Sequence, residues 1–180
     1  MFSSDSVFYH EDNHCGIELL PIQGTSAEFQ LSDTNSNNSE INYIDQRFTE
    51  IYDRSVVKYP LARLKINQLL FESLLKEDSL FFFDIVYTGY SSYREVKKDT
   101  YAFGYENYII YYTAVDGIVI SSWIDYSSLS DTLNERPLRL KNALYKIGVL
   151  YKLMLVNWGE GIFVNLSKEK DILNYVKKVL

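Results

Sequence analysis

Two histidines near the N-terminus, His10 and His14, stand four residues apart, and Glu11 directly follows the first. This spacing matches the H-E-x-x-H pattern of zinc metallopeptidases. On a helix it turns both imidazoles toward one metal ion, while the glutamate activates the bound water. The residues between the histidines, Asp12 and Asn13, are poor helix formers, so the sequence does not favour the helix that this chemistry requires.

A zinc site also needs further ligands, and His10 and His14 are the only histidines in the chain. The nearest candidates, Cys15 and Glu18, are so close to His14 in the sequence that they would reach the same metal ion only awkwardly. We therefore predict no metal and no cofactor, and we interpret the segment as a polar lead-in to the next strand. Two alternatives stay open: a degenerate metal-dependent hydrolase, and adventitious metal binding by His10, His14 and Cys15.

Other patterns that carry chemistry are missing from the sequence. It has no G-x-G-x-x-G, no G-x-x-x-x-G-K-[ST] and no C-x-x-C. A serine or cysteine triad needs a histidine as its base, and the chain has only two histidines. These observations predict a protein that is not an enzyme.

Composition points to a folded protein with an acidic surface. The chain has 180 residues, of which 47% are hydrophobic and 16% aromatic, and its formal net charge is -6. Negative charge disfavours nucleic acid and anionic membranes and favours a basic partner. The single cysteine excludes an internal disulfide, the N-terminus lacks the features of a signal peptide, and Lys146 and Lys152 interrupt the most apolar stretch. We expect a cytoplasmic protein.

The first half of the chain mixes strands and helices. A short strand is expected at 17–22 (IELLPI), followed by a flexible, Ser- and Asn-rich loop at about 32–40. Helices are expected at 43–56 and 61–76, the second starting after Pro60. The run at 80–87 (LFFFDIVY) is aromatic and β-branched, which is typical of a strand, and Gly89 is expected to end it.

The second half begins with a predicted sheet. Strands are expected at 101–105, 107–114 and 118–125, and the last two flank the Asp116-Gly117 step, which is a strong signal for a tight hairpin. Leu140, Leu144, Ile147, Tyr151 and Leu155 then form a helical stripe ending near Trp158-Gly159, before a strand at 161–166 and a last helix after Ser167. The fold class is α+β: a single domain over 1–180, mostly antiparallel sheet with helices packed on one side, ending in helix-strand-helix.

Tyrosine is unusually frequent, and its distribution is uneven. Nine of the sixteen tyrosines lie between positions 87 and 126: Tyr87, Tyr90, Tyr93, Tyr101, Tyr105, Tyr108, Tyr111, Tyr112 and Tyr126. Tyrosine is favoured in strands, but it is also common in binding hot spots. The sequence predicts a loop at 89–99, where Tyr90, Tyr93, Arg94 and Glu95 stand beside two serines.

The order of four short motifs is similar to that in bacterial polymorphic-toxin immunity proteins. Glu11-Asp12 precedes I-E-L-L-P at 17–21, T-G-Y-S-S-Y-R-E follows at 88–95, and A-F-G at 102–104. Ser91 stands where that pattern has glycine, and the helices from 137 onward lie outside it. The resemblance implies a non-catalytic protein that binds and neutralises a cognate toxin.

Under this interpretation the partner is a cognate toxin protein, and a basic nuclease would suit the acidic charge. We expect the partner-binding surface to combine the loop residues Tyr90, Tyr93, Arg94 and Glu95 with the acidic residues Glu106, Asp116 and Asp125. Nucleic acid and membrane are not expected as partners. A protein-interaction module without a toxin partner is a further alternative.

Overall fold

The computed structural model describes residues 6–23, 60–90, 92–105, 108–126 and 136–179. Three sequence-based predictions lie outside these residues: the loop at 32–40, the helix at 43–56 and the partner-binding role of Glu106.

The described residues form eleven strands, three α-helices and two short 3-10 helices. The strands are β1 (Ser6–His10), β2 (Ile17–Pro21), β3 (Ile66–Asn67), β4 (Phe81–Phe83), β5 (Ile85–Tyr90), β6 (Tyr93–Val96), β7 (Thr100–Tyr105), β8 (Tyr108–Val115), β9 (Ile118–Tyr126), β10 (Leu153–Asn157) and β11 (Ile162–Asn165). The α-helices are α1 (Gln68–Glu77), α2 (Arg136–Tyr151) and α3 (Glu169–Val179), and the 3-10 helices span Glu11–Asn13 and Leu61–Leu64.

The main sheet is antiparallel and contains eight strands. Seven follow the order β11-β10-β2-β9-β8-β7-β4, and β3 pairs with β9 outside this path. The β8–β9 hairpin lies near its middle, and its turn residues Asp116 and Gly117 have φ values of 52° and 73°. Both are left-handed conformations that tight hairpin turns require. The predicted hairpin is therefore confirmed, as are the three strands predicted at 101–105, 107–114 and 118–125.

A second, three-stranded sheet has the order β1-β5-β6, in which β1 and β5 are parallel. The run at 80–87, predicted as one strand, is divided between the two sheets, because β4 pairs with β7 and β5 pairs with β1 and β6. The prediction that Gly89 ends the strand is wrong. Gly89 lies inside β5 opposite Arg94. Its backbone φ is 138°, a value that residues with a side chain rarely adopt. The predicted loop at 89–99 is likewise a hairpin formed by β5 and β6.

The helices pack on one face of the main sheet and the small sheet packs on the other. Phe71 of α1, Leu144 of α2 and Ile172 of α3 share one buried cluster with sheet residues such as Leu19 and Ile110. A second cluster joins the small sheet, through Tyr9 and Val86, to Tyr111 and Trp123 of the main sheet. The α+β class, with mostly antiparallel sheet and helices on one side, is confirmed.

The predicted helix at 61–76 begins later than its apolar spacing suggests. Lys65 has a φ of 49°, which ends the 3-10 helix, and Ile66 then pairs with Val119 in the main sheet. The Asn67 side chain accepts a hydrogen bond from the Leu70 amide at 3.1 Å and caps α1. Leu69, in the first turn of α1, is 75% exposed. The first seven residues of this prediction are therefore wrong.

The predicted helical stripe through Leu155 is also too long. Helix α2 ends at Tyr151, Lys152 has a φ of 54°, and all five residues of β10 are buried between β2 and β11. The position of Leu155 fits both a helix and a buried strand, because a short apolar run does not distinguish these two structures. Strand β11 and helix α3 follow as predicted. None of the helices in the described ranges combines the length and apolar character needed to cross a membrane.

Candidate protein-binding surface

The H-E-x-x-H segment does not form an α-helix. Strand β1 ends at His10, and the 3-10 helix Glu11–Asn13 follows. The His14 ring lies 4.7 Å from the Trp123 ring, and the His10 ring lies 5.1 Å from that of Tyr90. The segment is thus a turn that connects β1 to β2, as the lead-in interpretation predicts. Within the described ranges, no three His, Cys, Asp or Glu side chains are grouped to hold a metal ion.

Tyr90 and Tyr93 face each other across the end of the β5–β6 hairpin. They are 46% and 57% exposed, so neither belongs to the core. The Tyr93 hydroxyl donates a hydrogen bond of 2.7 Å to Glu95 Oε2. This bond holds a large aromatic side chain in one orientation at the surface, which limits the rotamer entropy that binding would remove.

The Tyr90 hydroxyl interacts with the carboxylates of the 3-10 helix Glu11–Asn13. The negative charges of Glu11 and Asp12, together with a hydrogen bond to Glu11, raise the pKa of the Tyr90 phenol above its usual value. The hydrogen bond to Glu95, followed by the charge of that carboxylate, raises the pKa of Tyr93 in the same way. A phenol is protonated at neutral pH at its ordinary pKa of 10.0, and an upward shift keeps it so.

Arg94 points away from these tyrosines. It pairs with Gly89 on the outer face of the small sheet, and its guanidinium carbon lies 4.3 Å from the centre of the Phe8 ring. Side chains alternate along a strand, so Tyr93 and Glu95 share the opposite face. Arg94 is held by a cation–π contact with β1. The structure therefore separates it from the other three predicted residues of the hairpin.

Asp125 lies close to the 3-10 helix, at the end of β9. Its carboxylate oxygens accept hydrogen bonds of 3.3 and 3.4 Å from Asn13 Nδ2. Burial raises the pKa of Asp125, although the hydrogen bonds from Asn13 and the Tyr126 backbone amide and the charge of His10 act in the other direction. Glu11, Asp12, Asn13 and Asp125 thus form a continuous polar edge that reaches Tyr90.

Asp116 does not belong to this edge. It lies in the β8–β9 turn, at the opposite end of β9 from Asp125. Nine residues of strand correspond to about 30 Å. Asp116 and Asp125 are therefore separated by the length of β9, and the partner-binding role of Asp116 stays a prediction.

Most of the other clustered tyrosines serve the core. Tyr108, Tyr111 and Tyr112 are fully buried in β8, where Tyr111 stacks on Trp123 with ring centres 5.3 Å apart. Only part of the tyrosine excess is available for binding. Glu11 and Asp12 are the surface residues that sequence reasoning did not assign to the partner, although the E-D motif marked their position.

We name the group Glu11, Asp12, Tyr90, Tyr93 and Glu95 the acidic-aromatic surface. It combines exposed, oriented phenols with carboxylates on one edge of the molecule. Such an arrangement can receive a basic protein surface. Compared with protein-family models, curated proteins and solved structures, the chain has no match.

Proposed function

We propose that the protein is a non-catalytic immunity protein, which binds a cognate bacterial toxin in the cytoplasm and neutralises it. The observation that carries this proposal is the pairing of exposed Tyr90 and Tyr93 with the carboxylates of Glu11 and Glu95 at one edge. Tyrosine anchors with fixed orientation are typical of interface hot spots.

Charge supports a basic partner. The chain carries a formal net charge of -6, and the acidic-aromatic surface concentrates three carboxylates around two phenols. Complementary charge accelerates encounter with a basic protein and disfavours acidic ones. A basic nuclease is the toxin class that this charge suits best. The same charge speaks against nucleic acid or an anionic membrane as the direct partner.

The motif order gives independent support. Glu11 and Asp12 come from the E-D motif, and Tyr90, Tyr93 and Glu95 come from the T-G-Y-S-S-Y-R-E motif. The parallel pairing of β1 with β5 brings these two segments to one edge, although they are far apart in the chain. The hydrolase alternative needs both histidines on one helix face, and the 3-10 helix Glu11–Asn13 does not supply that face.

The proposal is tested by co-expression. Under this proposal we expect the neighbouring gene to encode a large secreted protein with a C-terminal toxin domain, and that domain is expressed in a host with or without the chain. We expect the domain to arrest growth alone, growth to return with the chain, and the two proteins to elute as one complex. A toxic domain that the chain neither binds nor neutralises would contradict the proposal.

A further inference from the structure

A small open cavity lies beside the acidic-aromatic surface, between the 3-10 helix Glu11–Asn13 and the end of β9. Its volume is about 250 Å³. Ile17 supplies an apolar wall, Ile124 lines it from the core, and Asp12, Asn13 and Asp125 supply polar groups. Small-molecule pockets usually start at roughly 300 Å³, so this cavity has the size for a single side chain rather than a whole ligand.

The Asp125 carboxylate in this cavity forms no ion pair with a lysine or arginine among the described residues, and the basic group whose charge acts on its pKa is His10. His10 Nδ1 also lies 3.3 Å from Asp12 Oδ2. Its side-chain donor is the neutral Asn13 amide, at 3.3 and 3.4 Å. Two carboxylates on and just after α1 are each paired with a lysine. Asp78 lies 3.1 Å from the Lys146 ammonium, and Glu72 lies 3.2 Å from that of Lys76. Asp125 is thus a partly desolvated carboxylate that has a neutral hydrogen-bond donor and a titratable histidine nearby, but no permanently charged cation from the described part of the chain in contact with it.

We infer that this cavity receives one arginine side chain from the basic partner, with Asp125 and Asp12 as its carboxylate acceptors. The inference rests on the proposed function and specifies how the partner is recognised. A guanidinium is planar and donates parallel hydrogen bonds to a carboxylate, and it is less strongly hydrated than an ammonium. Its methylene stem would pack against the partly exposed Ile17, which lysine could also do, so arginine is selected by the head group.

The electrostatics of Asp125 favour such an occupant. Burial raises the pKa of this carboxyl, which means that its charged form is destabilised where it stands. A guanidinium at hydrogen-bond distance would offset that destabilisation and lower the pKa again. Binding of arginine and ionisation of Asp125 are therefore coupled, and each should be visible in the other.

The experiment uses isotope-labelled protein and a blocked amino acid, N-acetyl-arginine-methylamide, as the probe. Its lysine analogue is the control ligand. In NMR titrations we expect saturable shifts of the Asn13 side-chain amide and the Ile124 and Asp125 backbone amides with the arginine probe. Affinity should fall at least about tenfold for the lysine analogue and for Asp125→Asn, since a charge-assisted bond is lost.

Asp116→Asn is the matched control variant. It makes the same change of charge at the far end of β9, and asparagine tolerates the positive φ of that turn, so its affinity for the probe should equal that of wild type. A measurement on wild type alone covers the case in which Asp125→Asn fails to fold. Carboxyl carbon shifts should show a lower Asp125 pKa when the arginine probe is bound.

The outcomes separate this inference from the proposed function. Absence of probe shifts at the cavity, with toxin binding unchanged in Asp125→Asn but weakened in Tyr93→Ala, overturns the arginine site and leaves the function standing. Probe binding at the cavity without any toxin binding supports the arginine site and overturns the function. Equal affinity for the arginine and lysine probes also overturns the assignment to arginine.

Discussion

The Tyr112 hydroxyl of β8 donates a hydrogen bond of 2.7 Å to Glu72 Oε1 of α1, in the buried interface between the main sheet and the helices. Gln68 Nε2 donates to the same oxygen at 3.0 Å, and the Lys76 ammonium lies 3.2 Å from Oε2. Every charge and donor in this group therefore has a partner. The position of α1 on the sheet depends on a polar contact as well as on apolar packing.

Replacing Tyr112 by phenylalanine should destabilise the protein by about 1–3 kcal/mol. The ring keeps its packing, but the buried carboxylate loses a strong donor. Urea unfolding measures the difference. Tyr145→Phe removes a hydroxyl from an exposed position on α2 and should change stability by no more than about 0.5 kcal/mol. Equal stability of wild type and Tyr112→Phe would mean that the hydrogen bond contributes nothing.

The same pair predicts a dependence on pH. Burial alone would raise the pKa of Glu72, but the bonds from Tyr112, Gln68 and Lys76 outweigh it, so the net pKa lies below the ordinary 4.5. A lowered folded-state pKa gives stability that is present above the unfolded value and lost as pH falls through the folded value. The difference between wild type and Tyr112→Phe should thus be largest near neutral pH and shrink below about pH 4.5. A constant difference down to acid pH would contradict this.

The β8–β9 turn should tolerate asparagine but not valine at position 117. Gly117 has a φ of 73°, and a Cβ built there meets no atom within 4 Å, so any penalty comes from the backbone rather than from a clash. Gly117→Val should lower stability by roughly 1–3 kcal/mol, because β-branched residues resist positive φ. Gly117→Asn should lose clearly less. Equal melting temperatures for the two variants would mean that the positive φ at position 117 does not penalise a β-branched residue.

The parts of the fold that the sequence predicts well are those encoded locally. Asp116-Gly117 between two strand-like runs identifies the central hairpin without any tertiary information. The start of α1 and the end of α2 are different. Lys65 and Lys152 adopt positive φ values that nothing in their side chains requires, and the strands beside them are fixed by pairing with distant parts of the chain.

The candidate site shows the same limit. Exposure of Tyr90, Tyr93 and Glu95 follows from a polar, serine-containing context that local sequence reveals. Their proximity to Glu11 depends on the parallel pairing of β1 with β5, and parallel pairing joins segments that are remote in the chain. The division of Asp116 from Asp125 follows from strand length and could have been predicted, because both residues were already assigned to opposite ends of one strand.

Purified, untagged protein should contain substoichiometric zinc after dialysis. His10 and His14 lie outside any α-helix, and their rings contact Tyr90 and Trp123. Elemental analysis is the measurement, and Glu11→Gln should give the same metal content as wild type. One retained equivalent of zinc, with an activity lost in Glu11→Gln, would restore the hydrolase interpretation.

Truncation of either tyrosine of the acidic-aromatic surface should weaken toxin binding. Tyr90→Ala and Tyr93→Ala should each reduce the binding free energy by about 1–3 kcal/mol, as interface anchors do. Tyr145→Ala is the matched control, because this tyrosine is 37% exposed but lies on α2, on the helical side of the main sheet. Calorimetry with the purified toxin domain measures each variant after its fold is checked by circular dichroism.

The charges of this surface should act mainly on the rate of association. Glu11 and Glu95 are set beside the tyrosine anchors, so long-range attraction brings a basic partner to the same edge that then binds it. The association rate should fall as salt rises, since the Debye length shortens to about 8 Å at physiological ionic strength. Stopped-flow mixing of wild type and Glu95→Gln with the toxin domain tests this, and the variant should show a weaker dependence on salt. Tyr93→Phe separates the two roles of Glu95, because it removes the hydrogen bond and keeps the charge. If folded Tyr90→Ala, Tyr93→Ala and Glu95→Gln all bind as wild type does, the hairpin is structural and the partner binds another face.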